Sequence, residues 1–421
     1  MRVLIIGAGT GGLALAHGLR KAGVDVALFE RDRTPRSMLI GYRVGISQDG
    51  SKALHSCLPP DVFAEFVRTT ARPAVRINMR TEKYGELLVG EIPQGSDPAH
   101  SEQSVSRIAM RTALLNGLDD VVRFDKTFTH FSRNDDGSVT AFFDDGTSET
   151  GDVLVGADGA QSKVRRQYLP HAKIADTGIT TIAGKLPLTP EHAKLLPPQA
   201  DGAVTLLYGP KGAFVIIHVM RFDGEGVEDD YIMWGYAASH DKFPDLKSMT
   251  QEQLKQVVLS MTPKFHPNLR ELFKLADPET VFEIKVRTSE PLQPWEASNV
   301  TLIGDAVHLM TPGRGIGANT ALRDAELLTR KLSEAQDPVQ AISEYEREMV
   351  KYGFEAVLAS REQMDGNGAI HKPVIGRVVL AFLRTFLRVT NAVPALKRKM
   401  LARDAAHRDH VNSADEVVHA R

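Results

Sequence analysis

The chain is punctuated by short apolar runs that end in glycine or acid. Residues 3–6 and 153–155 are unbroken apolar stretches, and 24–29 and 300–303 are nearly so. Such runs predict strands covered on both faces, the pattern of a parallel sheet. After the first run, Leu13, Ala16, Leu19 and Ala22 recur near helical spacing and Gly23 closes the pattern. The third run leads into Gly156-Ala157-Asp158-Gly159 and the last into Gly304-Asp305, with a helical pattern starting at Ala318. Between them, 121–124, 127–133 and 139–143 with the turn Asp144-Asp145-Gly146 predict an antiparallel meander. Residues 75–92 read as strand material broken near Lys83-Tyr84-Gly85. Residues 175–290 change character, with strands at 179–186, 203–208, 213–220, 231–237 and 281–287, a turn at 209–212 and one helix at 251–261. The last part is helical at 317–332, 338–359 and 374–389, followed by a polar tail from Arg403.

These elements predict an α/β chain. A Rossmann-like nucleotide-binding domain is assembled from 1–72, 101–174 and 290–360. An inserted antiparallel β-sheet domain comes from 73–100 and 175–289, and 361–421 adds C-terminal helices. The length of 421 residues suits two domains. A net charge of −2 gives no electrostatic case for nucleic acid. The lone Cys57 offers neither a disulfide framework nor metal-ligand spacing. The chain enters a strand pattern at once, with no signal segment, and no apolar run spans a bilayer, so a cytoplasmic setting is the expectation. Residues 374–389 are apolar but carry Arg377, Arg384 and Arg388 on one face. Packing of the apolar face onto the protein's own domains is expected, with a membrane surface as the alternative.

The first strand, Gly7-x-Gly9-x-x-Gly12 and the following helix form a dinucleotide fingerprint, with Glu30 placed 18 residues after Gly12. In such a turn Gly7 allows the tight bend, Gly9 lets a pyrophosphate approach, and Gly12 permits close helix–strand packing. An acid at position 30 suits the unphosphorylated adenosine ribose of FAD or NAD. Asp158 and Asp305 stand at the carboxyl ends of two other strands, where open α/β sheets bind ligands. The glycines at 313, 315 and 317 open a helix whose N-terminus favours negative charge. Arg43 lies in a short extended segment, Tyr42-Arg43-Val44-Gly45-Ile46, either solvated or reaching a phosphate or ribityl group. Arg107 and Arg111 share a helical face, which spacing alone reads as a solvated stripe. Tyr208, His218, Met233 and Trp234 on the inserted sheet meet a substrate or are ordinary sheet packing. His308, just after a strand end, fits a structural role better than a base.

Taken together, the three motifs resemble the class A flavin-dependent aromatic hydroxylases of the para-hydroxybenzoate hydroxylase fold, over about residues 2–360. The resemblance rests on Gly7, Gly9, Gly12 and Glu30; on Gly156-Ala157-Asp158-Gly159 with Ser162 and Arg165; and on Gly304-Asp305-Ala306 with His308, Pro312, Gly315, Gly317 and Asn319. It implies that Glu30, with Arg31 beside it, holds the adenosine ribose of FAD and that Arg107 contacts the cofactor. It ties Asp158 and Gly159 to FAD and NAD(P)H, places Asp305 at the ribityl hydroxyls, and wraps Pro312 to Asn319, including the 315–319 backbone and Ala318, round the isoalloxazine. Arg43 is similar to an arginine that meets the flavin in some members. Arg314 and Ile316 depart from the family pattern. The implied activity is a monooxygenase in which NAD(P)H reduces FAD and O2 is passed, as a flavin C4a-hydroperoxide, to an aromatic or polyketide-like substrate. Epoxidation, Baeyer–Villiger oxidation or reduction on the same fold, or a non-catalytic FAD- or NAD-binding regulator, are the other readings. Halogenation is disfavoured, since the only tryptophans are Trp234 and Trp295.

Overall fold

The structure is a computed structural model that describes residues 1–34, 42–223, 228–362 and 364–410, with side chains to residue 402. Its centre is a five-stranded parallel sheet in the order β18-β12-β1-β2-β8, formed by Val300–Leu302, Val153–Gly156, Arg2–Ile6, Asp25–Phe29 and Val122–Arg123. Every pair in it is parallel. Val3, Leu4, Ile5, Val153, Leu154, Val155 and Leu302 are fully buried, as unbroken apolar runs require. Helices α1 (Thr10–Lys21), α9 (Gly317–Glu334) and α10 (Pro338–Arg361) cover the sheet.

The chain leaves this layer twice. The first excursion runs through β3 (Arg43–Ile46), α2 (Gln48–Cys57), α3 (Pro60–Arg68), β4 (Thr70–Ala71), β5 (Arg76–Thr81), β6 (Glu86–Glu91), β7 (Gln103–Ser106) and α4 (Arg107–Leu115). It contributes a small sheet, β3-β7-β4. After β8, strands β9 (Phe128–Arg133), β10 (Val139–Phe143) and β11 (Ser148–Gly151) form a three-stranded antiparallel sheet, and α5 (Lys163–Tyr168) follows β12. The second excursion supplies β13 (Ile174–Pro187), α6 (Pro190–Ala193), β14 (Ala203–Tyr208), β15 (Phe214–Met220), β16 (Tyr231–Ser239), α7 (Gln251–Met261), α8 (Pro267–Leu275) and β17 (Phe282–Ser289). With β5 and β6 these strands make a seven-stranded sheet, β17-β13-β16-β15-β14-β5-β6, whose ladders are antiparallel except β14 with β5. Helices α11 (Ile375–Ala392) and α12 (Pro394–His410) end the described chain.

Three expectations change. Residues 121–124 were expected in the meander, but β8 joins the central sheet beside β2 because two parallel pairings there outweigh a short hairpin. The polar tail expected from Arg403 is helical to His410. The helix at 374–389 does pack on the protein through Leu383 and Leu387, against Leu87 and Leu88, yet a second apolar stripe faces outward.

Each face of the seven-stranded sheet has its own partner, since side chains alternate along a strand. Ile217, Ile232, Trp234 and Tyr236 pack against Leu254, Val258, Leu269 and Phe273 of α7 and α8. On the opposite face, Tyr231 and Met233 meet Tyr42, while Leu206 and Tyr208 meet Leu383 of α11. Trp234 is therefore buried on the face away from the nucleotide layer, where it stacks edge-on with Phe273 at 4.8 Å, and does not line the inner face as a substrate contact.

Candidate cofactor and substrate site

At the end of β1, Gly7 takes φ +112° and its N–H donates to Phe29 O at 2.8 Å. A side chain on Gly12 would put Cβ 2.1 Å from Gly7 O, so helix and turn touch there; one on Gly9 would meet nothing within 4 Å. The three glycines thus divide the work of bend, open approach and close packing. Glu30, at the end of β2, is buried. Its Oε2 accepts from Ala8 N at 2.8 Å and its Oε1 from Asp32 N at 2.9 Å. Arg111 stands 3.5 Å from Glu30 Oε2 and donates to Asp32 at 2.9 Å. Arg111 is buried rather than solvated, contrary to the reading from helical spacing, because two acids meet it on the inner side. Arg31 is exposed beside this cluster.

Ser106 Oγ accepts from Ala109 N and so starts α4 at Arg107. Arg107 and Asp305 are solvent-accessible, although protein surrounds both on most sides. Burial pulls the Arg107 guanidinium below its usual value, opposed by Asp305; burial also pushes the Asp305 carboxyl up, opposed by His308 and Arg107. Accessible side chains in such surroundings line a cleft. The 312–317 loop adjoins it, since a side chain on Gly317 would come within 3.9 Å of Asp305 Oδ1. Pro312, Gly313 and Gly315 are exposed, Gly315 has φ +66° with open space beyond it, and the 18-residue helix α9 begins at Gly317 with Ala318 half-buried.

Behind the cleft lies a network of which the sequence signalled only His308, found here in the structural role expected of it. Asp324 Oδ2 accepts from Gly304 N and from His308 Nε2, each at 2.7 Å, and Oδ1 accepts from Tyr352 O–H at 2.6 Å. His308 and Asp324 are fully buried. Burial works against the charged imidazole, but the charge of Asp324 wins and raises the His308 pKa. The network fixes Gly304, at φ +59°, and with it the turn that presents Asp305. Residues 16 and 28 positions apart share no motif spacing, so only their burial in α9 and α10 reveals them.

Asn319 is also a support. Its Oδ1 accepts from Ser47 N at 2.8 Å and its Nδ2 donates to Gly45 O and Gly315 O, clamping β3 to the loop. Ile316 packs inward in the central core, so its unusual identity acts on the loop's anchorage rather than on the cleft. Arg314 is half-buried. Asp158 Oδ2 caps α5 by accepting from Lys163 N at 2.7 Å, while Oδ1 is buried with no partner among the described residues. Gly159 follows at φ +73°. Arg165 ties α5 to the Asp305 turn by donating to Ala306 O at 2.9 Å.

On the substrate side, Arg43 donates to Ser104 Oγ at 2.6 Å and its guanidinium lies over Gly45. It is within electrostatic reach of His218 and Tyr231. Val204, Leu206, Tyr208, Ile216 and Met233 are half-buried on the inner face of the sheet, and the residues alternating with them are buried. This partly accessible apolar face is bounded by Tyr42 at one end and α11 at the other. His218, paired in register with Val204 and Met233, is the titratable group at its centre. Burial, and then Arg43, hold it well below the usual histidine value, so it is a neutral imidazole; it has no hydrogen-bond partner among the described residues.

A family model described as an FAD binding domain matches residues 1–357. The chain belongs to the class A FAD-dependent monooxygenase family. Among its relatives, a dual O-methyltransferase/FAD-dependent monooxygenase of Cercospora beticola is 34% identical over 382 residues, covering 82% of this chain and 44% of the relative. An FAD-dependent monooxygenase of Trichoderma harzianum is 30% identical, covering 87% and 94%. The chain thus spans a little under half the length of the dual-function relatives. A solved chain from Photorhabdus luminescens, provisionally described as an FAD containing monooxygenase, is 37% identical with a TM-score of 0.78 and covers 87% of this chain and 98% of its own. The Klebsiella pneumoniae protein solved with FAD and uric acid gives a TM-score of 0.80 at 23% identity, covering 97% and 96%, a likeness of fold. The residues of the cleft fit the flavin these proteins carry: an open approach at Gly9, a buried acid at Glu30, an unpartnered carboxylate oxygen on Asp158, and Asp305 facing Arg107.

Proposed function

We propose that this flavoprotein is an FAD- and NAD(P)H-dependent monooxygenase that inserts one oxygen atom of O2 into an apolar aromatic or polyketide-like compound. The observation that carries the reading is the half-buried apolar face of Val204, Leu206, Ile216 and Met233, with one neutral histidine at its centre, set across β3 from the cofactor cleft. The bound flavin would supply the redox and oxygen-transfer chemistry. Glu30 and the Gly7–Gly12 turn would hold its adenosine end, and Asp305 and Arg107 its middle. The N-terminus of α9 would stabilise negative charge on the reduced ring, by about 0.3 to 2 kcal/mol. The apolar face would orient a flat substrate and exclude water, which otherwise diverts such chemistry to hydrogen peroxide. His218, uncharged and with no hydrogen-bond partner among the described residues, would accept a hydrogen bond from a phenolic hydroxyl.

The test is NAD(P)H consumption by the FAD-loaded protein against a panel of phenols and aromatic polyketides, with peroxide measured in parallel. Consumption that exceeds peroxide, with a product heavier by one oxygen atom, supports the reading. Consumption fully matched by peroxide for every compound, or protein that gains no flavin spectrum with added FAD, overturns it.

A further inference from the structure

Helix α11 carries two apolar stripes. Leu380, Leu383 and Leu387, at steps of three and four, face the protein, and Leu383 and Leu387 pack with Leu87 and Leu88. Ile375, Val378, Phe382, Phe386 and Val389 also follow steps of three and four, so they form one line along the helix, and they face outward. Val378 is 67% exposed, Phe382 73% and Phe386 50%. Eight of the fourteen exposed large apolar side chains among the described residues lie between 374 and 396. A concentration of that kind marks a contact surface.

Charge identifies what covers it. From 366 to 402 the chain has seven Lys and Arg and no Asp or Glu, within a protein of net charge −2. Arg384 is engaged by Glu82 and the carbonyl of Tyr208. The other six, among them Arg377, Arg388 and Lys397 to Lys399, have no acidic partner among the described residues. At about 100° per residue, Arg377, Arg384 and Arg388 fall on the side of the helix away from the Phe382–Phe386 line, about 140–160° round from it. A second copy of this chain would bring two such cationic surfaces together, and their repulsion opposes self-association. Among the described residues no single helix is long and apolar enough to cross a membrane, and the α11–α12 pair bends by 109°. An apolar line on one side of a helix, cations on its polar side and a length of about 27 Å are instead the pattern of a helix lying in the plane of a lipid interface.

We propose that the outward face of α11, with the cations of α11 and α12, docks this protein onto an anionic lipid bilayer, the Phe382–Phe386 stripe entering the acyl boundary and the arginines and lysines meeting the headgroups. The test is flotation of the FAD-loaded full chain with vesicles of phosphatidylcholine containing 30 mol % phosphatidylserine, about a third anionic lipid, and with phosphatidylcholine alone. The chain is expected to float with the anionic vesicles, and raised salt, which shortens the screening length from about 10 Å at 0.1 M toward about 3 Å at 1 M, to release it. R377Q/R388Q should weaken partition about 25-fold, from about fivefold per cation at the surface. F382D/F386D should abolish it while the flavin spectrum and circular dichroism stay unchanged, since both side chains are exposed. Absence of flotation with anionic vesicles, flotation indifferent to both variants, or a dimer in sedimentation that F382D/F386D converts to monomer would each overturn the assignment.

Discussion

Asp324 lies behind the cleft, yet it should control cofactor retention. It accepts three hydrogen bonds inside the protein, from Gly304 N, His308 Nε2 and Tyr352 O–H, at 2.6 to 2.7 Å. In Asp324→Asn one of the two oxygens becomes a donor. The amide can keep an acceptor toward Gly304 only by turning its NH2 toward Tyr352, whose hydroxyl can accept. His308 then loses its only charged hydrogen-bond partner among the described residues while remaining fully buried. Removing one partner of a buried pair typically costs about 3–5 kcal/mol. At about 2 °C per kcal/mol for a chain this large, the melting midpoint of the apoprotein should fall by about 6–10 °C. The same change loosens the turn that carries Asp305, so FAD affinity should fall by at least about tenfold, equivalent to about 1.4 kcal/mol. Asp305→Ala is the comparator: it should lose FAD affinity with little change in the apoprotein midpoint, because Asp305 faces the cleft. The pH dependence follows from the sign of the His308 shift. A raised folded pKa stabilises the fold fully below the unfolded value of 6.5 and loses that contribution as pH rises through the raised value. The gap between wild type and Asp324→Asn, read by calorimetry, should therefore narrow as pH becomes alkaline. Midpoints within 1 °C and FAD affinities within about twofold at pH 6 would refute the reasoning, 1.4 kcal/mol being a factor of ten.

The remaining predictions concern other parts of the molecule. Glu346 is buried, accepts from Thr301 at 2.8 Å, and has a second oxygen without a well-formed partner; burial, resisted by Thr301 and Trp295, raises it from 4.5 to about 8. The folded protein keeps a proton that the unfolded chain releases, so stability falls as pH rises from 4.5 to about 8, by on the order of 4 kcal/mol at about 1.4 kcal/mol per unit. Glu346→Gln should raise the melting midpoint at pH 8 and leave it nearly unchanged at pH 4.5. Gly12→Ala should impair folding, since its Cβ would sit 2.1 Å from Gly7 O, whereas Gly9→Ala should fold with an unchanged midpoint and lose FAD affinity by at least about tenfold; equal behaviour of the two in titration and thermal melts would contradict the division of roles. His218→Gln should shift the pH profile of substrate-stimulated turnover or its kcat, while Trp234→Phe, on the far face, should lower stability by about 1–3 kcal/mol and leave KM unaltered.

The strand-end motifs were legible in the sequence for a simple reason. Apolar runs buried on both faces have no competing period, and the residues that stop them, Gly7, Gly156 and Gly304 with the acids nearby, are the ones that meet a ligand. The inner face of the inserted sheet was legible only in part. Alternation separates Met233 from Trp234, but which of them faces inward depends on the partners of the sheet, and those come from 42 and 250–275. Arg111 was misread because its acids, Glu30 and Asp32, lie some eighty residues earlier. The Asp324 network was invisible for the same reason in sharper form: a carboxylate on a helix is ordinary until a buried histidine and an amide from another segment are seen to close on it. The outward stripe of α11 escaped notice because one apolar face satisfies the expectation of core packing, and the helix has two.

The order of the central sheet sets a timetable for synthesis. Strand β1 is complete at residue 6, its neighbour β12 at 156, and β18 enters beside β12 only at 300. At about 5–20 residues per second, the growing polypeptide holds Glu30 and the first glycine turn for about 15–60 seconds before Asp305 leaves the ribosome. From residue 156 to residue 300, about 7–30 seconds at the same rate, β12 has an unpaired edge of Val-Leu-Val-Gly, a template for pairing with another nascent chain until β18 closes it. A translating ribosome therefore carries half a cofactor cradle and an adhesive edge, and both are resolved by the same late segment.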